Sequence, residues 1–249
     1  MQNNSALPVP RKRKLVDAFT RSLHALMAFS FTVAYITSDA DTFRLVHVTM
    51  GYTLGGVFLL RVLWGILGPR RVSLWALAGK LSGARQAMSL IQNRDGLALL
   101  KLVLAFSMVT LLLFTLPVIA SGYITYFEFF GEWTKEIHET VANLMLVAVI
   151  GHVAAVGLVF WVFPRGQVRP MLCGQVNGNG PDLVKHNLRP LALALTLGVT
   201  GFWSWQAYQY KVDPGFKQQP AWLHPEGAQN CTKTTDPACC LHCHSEIDL

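Results

Sequence analysis

Four of the chain's eight histidines lie within apolar segments long enough to cross a membrane, at His24, His47, His138 and His152. An imidazole in hydrocarbon is energetically costly, so a histidine within such a segment indicates a functional site. His138 and His152 are fourteen residues apart, which in an α-helix corresponds to about 21 Å of rise and nearly four whole turns. Both rings therefore project from one helix face, with a separation that suits two haems stacked across a bilayer core of about 30 Å.

The other two histidines lie at matching depths on other segments. His24 is near the inner end of the first segment, and His47 is near the outer end of the second. Depth therefore pairs His24 with His152 around an inner, cytoplasmic-side haem b, and His47 with His138 around an outer, periplasmic-side haem b. Two histidines per iron leave no coordination position open, which favours electron transfer over ligand activation. A lone intramembrane histidine is as often a hydrogen-bonded side chain as a ligand, but the paired depths and same-face spacing favour ligation.

Two arginines are candidates for contacts with the haem propionates. Arg61 follows His47 by fourteen residues, so it shares that helix face and reaches the depth of the inner haem. A buried guanidinium needs an anion, and propionates supply carboxylates in the geometry that it prefers. Arg21, about one turn before His24, is the second candidate. Arginines near the ends of spans can also extend to lipid phosphates.

The composition is that of an integral membrane protein. The chain has 249 residues, of which 52% are hydrophobic and 14% charged, whereas soluble domains carry about 25% charge. Five apolar segments reach membrane-spanning length, and they are 18–38, 45–67, 98–122, 137–161 and 190–209. They predict an all-α integral membrane protein, in which a four-helix transmembrane bundle holds two haems b and is followed by a fifth transmembrane helix and a short periplasmic tail.

The basic residues indicate the orientation of the chain. They cluster before the first span, between spans two and three, and between spans four and five, while the other two connections hold only Arg44 and Lys135. The positive-inside rule therefore predicts a multi-pass protein of the bacterial inner membrane, with its N-terminus cytoplasmic and its C-terminus periplasmic. This explains the net charge of +7 without nucleic-acid binding. The basic N-terminus leads into a full-length span without a cleavage site, so we expect that span to be retained.

The C-terminal tail contains the run Cys240-Leu241-His242-Cys243-His244. Its Cys-x-x-Cys-His spacing is the attachment pattern of a c-type haem. In that interpretation Cys240 and Cys243 form the thioether links and His244 is an axial ligand. The alternatives are two disulfides or a zinc site, although thiols tend to oxidise outside the cytoplasm.

The tail leaves the haem c site incomplete. It contains no methionine, so His224 is the candidate sixth ligand, and Cys231 and Cys239 are a possible disulfide. So few apolar residues can scarcely enclose a haem. We therefore expect a periplasmic redox protein to dock on the tail and on the aromatic, glutamate-rich outer loop of 123–136.

Several runs of the sequence resemble bacterial di-haem cytochromes b of the b561 type, the type of the nickel–iron-hydrogenase cytochrome b subunit. The matching runs are Asp17-Ala18-Phe19-Thr20-Arg21-Ser22-Leu23-His24, His47-Val48-Thr49-Met50-Gly51-Tyr52, Arg61-Val62-Leu63-Trp64-Gly65, and His138-Glu139 with Ala142-Asn143 and His152-Val153. The resemblance covers about residues 15–175, with Val16 in place of the usual tryptophan. It implies a four-helix core with two haems b that exchanges electrons with the quinone pool or with a partner subunit.

The sequence thus predicts a basic cytoplasmic lead (1–14), a di-haem bundle (15–175), a loop with the fifth helix (176–210) and a periplasmic tail with the haem c motif (211–249). We expect an electron-transfer subunit that links quinone, through two haems b and one covalent haem c, to a multihaem cytochrome c, a dehydrogenase or a hydrogenase. The alternatives are a stand-alone quinone-linked oxidoreductase resembling superoxide oxidase, and a non-redox membrane protein with metal-binding histidines. No catalytic constellation is evident, so we expect a subunit of an oxidoreductase complex rather than a self-contained enzyme.

Overall fold

The computed structural model describes residues 12–67, 96–127, 130–131, 133–162, 169–177, 184 and 187–212. The elements in chain order are β1 (Lys12–Lys14), α1 (Ala18–Ile36), α2 (Arg44–Leu67), α3 (Gly96–Tyr126), α4 (Trp133–Val162), α5 (Arg169–Cys173), β2 (Gln175–Asn177) and α6 (Arg189–Val212). A short 3-10 turn, Asp41–Phe43, precedes α2. The chain divides into two compact units, Met1–Val199 and Thr200–Leu249. Of the second unit the structure describes only the C-terminal half of α6, where Ser204 bonds the Thr200 carbonyl one turn earlier.

Three of the described helices, α2, α3 and α4, are long and apolar enough to cross a membrane. The predicted first and fifth spans are also helical, as α1 and α6, with 19 and 24 residues. Both are more polar than the other three: α1 carries Arg21 and His24 in its first two turns, and α6 ends in a polar stretch with Lys211. Membrane crossing by α1 and α6 therefore stays a prediction.

The helix ends agree with the sequence-based limits, except at the connection between α3 and α4. The observed connection is shorter than the predicted loop of 123–136, because α3 continues to Tyr126 and α4 already begins at Trp133. The ring of Tyr123 packs on Phe127 with 4.6 Å between ring centroids. Gly131, with φ of +86°, turns the chain, and Thr134 donates from Oγ1 to its carbonyl at 2.8 Å.

Consecutive helices of the bundle run antiparallel. Near the start of α1, Phe19 packs edge-on against Trp64 from the end of α2, with 4.9 Å between ring centroids. At the opposite end, the ring centroid of Tyr52 on α2 is 6.4 Å from that of Tyr126 at the end of α3. We call these two ends the N-terminal end and the α3–α4 loop end.

All four helices contribute to a hydrophobic core midway along the bundle. Phe31, Leu54, Val118 and Met145 come from α1, α2, α3 and α4 in turn, and each is less than 9% exposed. Large apolar side chains also cover the outside, such as Leu113 and Val147, each 67% exposed. Apolar residues on both the inside and the outside are typical of a bundle whose outer surface is solvated by lipid.

The N-terminal end of α1 is capped by its own N-cap residue and by a later part of the chain. Asp17 is the N-cap, and its carboxylate accepts from the backbone N–H of Thr20 at 2.7 Å and from the Thr20 hydroxyl at 2.9 Å. The amide of Ala18 donates to the Asn187 carbonyl at 3.0 Å. Asp17 is only 1% exposed, so its carboxylate is a structural group of the fold.

A two-stranded sheet joins the N-terminal lead to the segment after α4. β1 pairs antiparallel with β2, with Arg13 opposite Val176. The Leu15 amide then donates to the Gly174 carbonyl at 2.9 Å. Gly174 has a φ of +74°, and a Cβ there would lie 3.0 Å from the Val16 carbonyl oxygen, so only glycine suits this position. The sequence analysis predicted a basic lead and a loop here and no strands, because pairing between such distant short segments has no local signal.

We predict that Asp17→Ala lowers the thermal unfolding midpoint of the purified, detergent-solubilised protein, measured by circular dichroism. Loss of an N-cap costs roughly 0.5–2 kcal/mol, and burial of the two orphaned donors of Thr20 favours the upper part of that range. Asp17→Asn keeps an acceptor and should retain most of the stability. Asp39→Ala, at an exposed aspartate beyond the other end of α1, is the matched control. Equal midpoints for Asp17→Ala and Asp39→Ala would contradict the prediction.

Candidate haem-binding site

Two of the candidate histidines meet near the α3–α4 loop end. His47 lies in the first turn of α2 and His138 near the start of α4, and their ring centroids are 6.2 Å apart with an interplanar angle of 86°. Both side chains are partly buried. Nδ1 of His47 is 2.7 Å from the carbonyl oxygen of Ala34, near the end of α1. Because a carbonyl only accepts, Nδ1 carries the proton and Nε2 keeps its lone pair.

A serine hydroxyl lies at Nδ1 of His138. The Oγ atom of Ser121 on α3 is 3.0 Å from Nδ1 of His138 and 3.2 Å from the Val118 carbonyl oxygen, to which it can donate. A hydroxyl has one proton, and when that proton goes to Val118, Oγ accepts from Nδ1–H of His138. In that tautomer Nε2 of His138 keeps its lone pair and is suited to binding a metal.

The same arrangement recurs for His152 at the N-terminal end. Ser107 of α3 lies with its Oγ 2.9 Å from Nδ1 of His152 and donates to the Leu104 carbonyl at 2.9 Å. When the hydroxyl proton goes to Leu104, Oγ accepts from Nδ1–H, and Nε2 of His152 is again the atom with the lone pair. His24 of α1 is close enough to His152 for the two imidazoles to interact electrostatically. The pairs expected from depth, His24 with His152 and His47 with His138, thus occupy the two ends of the bundle.

Arg61 approaches the His24–His152 end from α2. Its guanidinium is close enough to interact electrostatically with the His24 imidazole and with the Asp17 carboxylate. Its Nη1 atom is buried and has no hydrogen-bond partner among the described residues. An unsatisfied buried N–H is costly, so this atom suits a carboxylate supplied by a bound group. The guanidinium of Arg21, the second propionate candidate, instead donates to the backbone carbonyls of Met171 and Leu172 in α5.

The backbone of α3 comes close to His138 at Gly122. A Cβ added there would lie 2.9 Å from Cε1 and 3.3 Å from Nδ1 of that ring, closer than atoms pack without displacement. Sequence reasoning did not select Gly122, Ser107 or Ser121. A signal for the serines was present, because they are fourteen residues apart, as are His138 and His152.

These residues fit a haem better than a bare ion. Within the described parts of the chain, no three His, Cys, Asp or Glu side chains are grouped as a bare ion would need. A haem supplies four ligands of its own and needs two axial ones. Two imidazoles bound on opposite sides of one metal at about 2.0 Å each have ring centroids about 6 Å apart. The 6.2 Å between His47 and His138 and the buried Nη1 of Arg61 both fit that group.

The sequence profile of the prokaryotic cytochrome b561 family matches residues 15–174. The chain belongs to the prokaryotic cytochrome b561 family. It is therefore a multi-pass haem protein that transfers electrons in a membrane, and the family implies two haems b and exchange with quinone and a redox partner. This confirms the resemblance predicted over 15–175. Among curated proteins and among solved structures, none matches the chain.

The predicted haem c residues lie outside the residues that the structure describes, and they also follow the part that matches the family profile. They are Cys240, Cys243, His244, His224 and the possible disulfide pair Cys231 and Cys239. Cys173, the last residue of α5, is described and is free and exposed.

We predict that Gly122→Ala removes or weakens one of the two haems b, because the added methyl group displaces the His138 ring. The ratio of haem b to protein, measured by pyridine haemochrome, should fall from two towards one. Gly157→Ala on α4 is the matched control, since a Cβ there meets nothing within 4 Å and alanine favours a helix. Two full haems in Gly122→Ala would show that the close approach does not position the ligand.

Proposed function

We propose that this cytochrome b561 is the transmembrane electron-transfer subunit of an oxidoreductase complex. It links the quinone pool, through two bis-histidine haems b and one covalent haem c, to a periplasmic redox protein. His24 and His152 bind the haem b on the cytoplasmic side, and His47 and His138 bind the haem b on the periplasmic side. The protein has five spans, a cytoplasmic N-terminus and a periplasmic C-terminus.

The observation that carries the ligand assignment is the polar contact at Nδ1 of three imidazoles. His47, His138 and His152 each have a hydrogen-bond acceptor at Nδ1, namely Ala34 O, Ser121 Oγ and Ser107 Oγ. A satisfied Nδ1–H leaves Nε2 as the lone-pair atom, the usual arrangement of a metal-bound histidine.

The proposed reaction is outer-sphere electron transfer without bond making. When bound, the two haems supply the redox centres, and two histidines per iron leave no position for a substrate. α4 carries one ligand of each pair, so a single helix sets the distance between the two sites at about 21 Å of rise. The four-helix core of Phe31, Leu54, Val118 and Met145 lies between the two ends and keeps that separation fixed.

Arg61 supports a propionate contact on the cytoplasmic side. Its buried Nη1 atom and its position near His24 suit a carboxylate beside the ligand pair. A guanidinium there offsets the negative charge of a propionate in a region of low dielectric constant. Arg21 retains NH donors beyond its two backbone bonds, so it stays a second candidate.

The periplasmic half of the proposal is supported by the sequence. The Cys-x-x-Cys-His run places covalent haem c at Cys240, Cys243 and His244, with His224 as candidate sixth ligand and Cys231–Cys239 as candidate disulfide. The family supports a redox partner. The short tail and the connection between α3 and α4 form the proposed docking surface for that partner.

The ligand assignment predicts the spectra of two single substitutions. His152→Ala and His138→Ala should each lose one haem b and leave the other, because the two pairs share no residue. The b-type component of the reduced-minus-oxidised absorbance of purified protein would fall to about half in each variant. His186→Ala, outside the spans and outside the pairs, is the control. Two full haems in either ligand variant would overturn the assignment.

The cofactor content is predicted as two haems b and one haem c. Acid-acetone extraction should remove two haems and leave one bound covalently. Cys240→Ala combined with Cys243→Ala should abolish the covalent haem and leave the b-type absorbance unchanged, because the tail follows the bundle. Covalent haem persisting in the double variant, or absent from the wild type, would contradict the haem c assignment.

A further inference from the structure

α3 carries a pair of serines that matches the histidine pair of α4. Ser107 and Ser121 are fourteen residues apart, as are His138 and His152, and α3 packs antiparallel to α4. Fourteen residues span about 21 Å on each helix. Because the two spacings are equal, Ser107 can contact His152 while Ser121 contacts His138. Each serine also lies within hydrogen-bond distance of the carbonyl three residues earlier, and a hydroxyl that donates there offers a lone pair to Nδ1.

We propose that Ser107 and Ser121 are positioning residues that hold the axial ligands and lower the midpoint potentials of the two haems b. This inference rests on the proposed ligation by His152 and His138. It assigns a function to α3, which contributes no histidine.

The chemical basis is the electron density at Nε2. An acceptor at Nδ1–H polarises the imidazole and makes Nε2 a stronger donor. A stronger donor stabilises ferric over ferrous iron, so the midpoint potential falls. The Ser–His bonds lie inside a helix bundle of low dielectric constant, where hydrogen bonds are stronger than in water.

The back-bond to the helix makes the serine a directional acceptor. A serine hydroxyl rotates freely and can donate or accept. Donation to Leu104 or Val118 at 2.9 and 3.2 Å fixes that rotation, so the tautomer with the proton on Nδ1 is favoured. A water in place of the hydroxyl would lack this fixed orientation.

The test is potentiometric titration of the full-length, haem-loaded protein with the variants Ser107→Ala and Ser121→Ala. Both should retain two haems b. Each should raise the midpoint potential of one component, and the two variants should shift different components. At a fixed ambient potential the reduced-to-oxidised ratio of that haem should rise roughly three- to tenfold. This corresponds to a rise of about 30 to 60 mV in its midpoint potential for a one-electron couple.

Two further variants separate the hydrogen bond from a general effect on the helix. Ser107→Thr keeps the hydroxyl and should restore the wild-type potential. Thr110→Val is the matched control, because Thr110 makes the same kind of back-bond to Phe106 on α3, at 3.1 Å, and should leave both potentials unchanged.

Two outcomes overturn the inference. One is unchanged potentials in Ser107→Ala and Ser121→Ala with both haems bound. The other is a shift in Ser107→Ala that Ser107→Thr does not reverse. Retention of both haems b in His138→Ala and in His152→Ala would instead overturn the proposed ligation. The two failures are therefore distinguishable.

Discussion

An imidazole in an apolar helix bundle must have its N–H satisfied by the protein itself, and much of this structure follows from that constraint. Water is scarce at such a depth, and an unpaired polar group there is expensive. The N–H groups of His47, His138 and His152 are directed to Ala34, Ser121 and Ser107. The acceptors come from α1 and α3, while the histidines come from α2 and α4. Satisfying the rings therefore ties α2 to α1 and α4 to α3.

Close packing and polar satisfaction work together at these positions. Gly122 lets the backbone of α3 approach the His138 ring, and the neighbouring Ser121 supplies the acceptor. A larger residue at 122 would move the helix away and lengthen the hydrogen bond. Small residues at helix contacts are a general feature of membrane bundles, where lipid provides no hydrophobic drive for association. Here the small residue leaves room for the His138 ring as well as for helix packing.

The positions of the histidines were predictable because periodicity and depth are properties of single helices. The spacing of His138 and His152 defines a helix face without reference to any other segment. The limits of α2, predicted as 45–67 and observed as Arg44–Leu67, follow from apolar length in the same way. The family match over 15–174 agrees with the runs that carry the resemblance.

What could not be predicted depends on contacts between distant segments. Serine is common in spans as a residue that bonds its own helix, so the fourteen-residue spacing of Ser107 and Ser121 gains meaning only once α3 is packed against α4. The pairing of β1 with β2 is equally non-local. The aromatic run after Tyr123 suited an interfacial loop, yet α3 continues to Tyr126 since those rings pack on helix neighbours.

The contacts at the start of α1 have a consequence for the order of biosynthetic assembly. The partners of Arg21 and Ala18 follow them by 150 and 169 residues. When α1 leaves the ribosome these partners have not been synthesised, so its first turn remains without its backbone contacts. It acquires them only once α4 has been made and the segment of α5 and β2 has returned to the same side. The four-helix core needs only α1 to α4, so completion of the first helix is the later of the two steps.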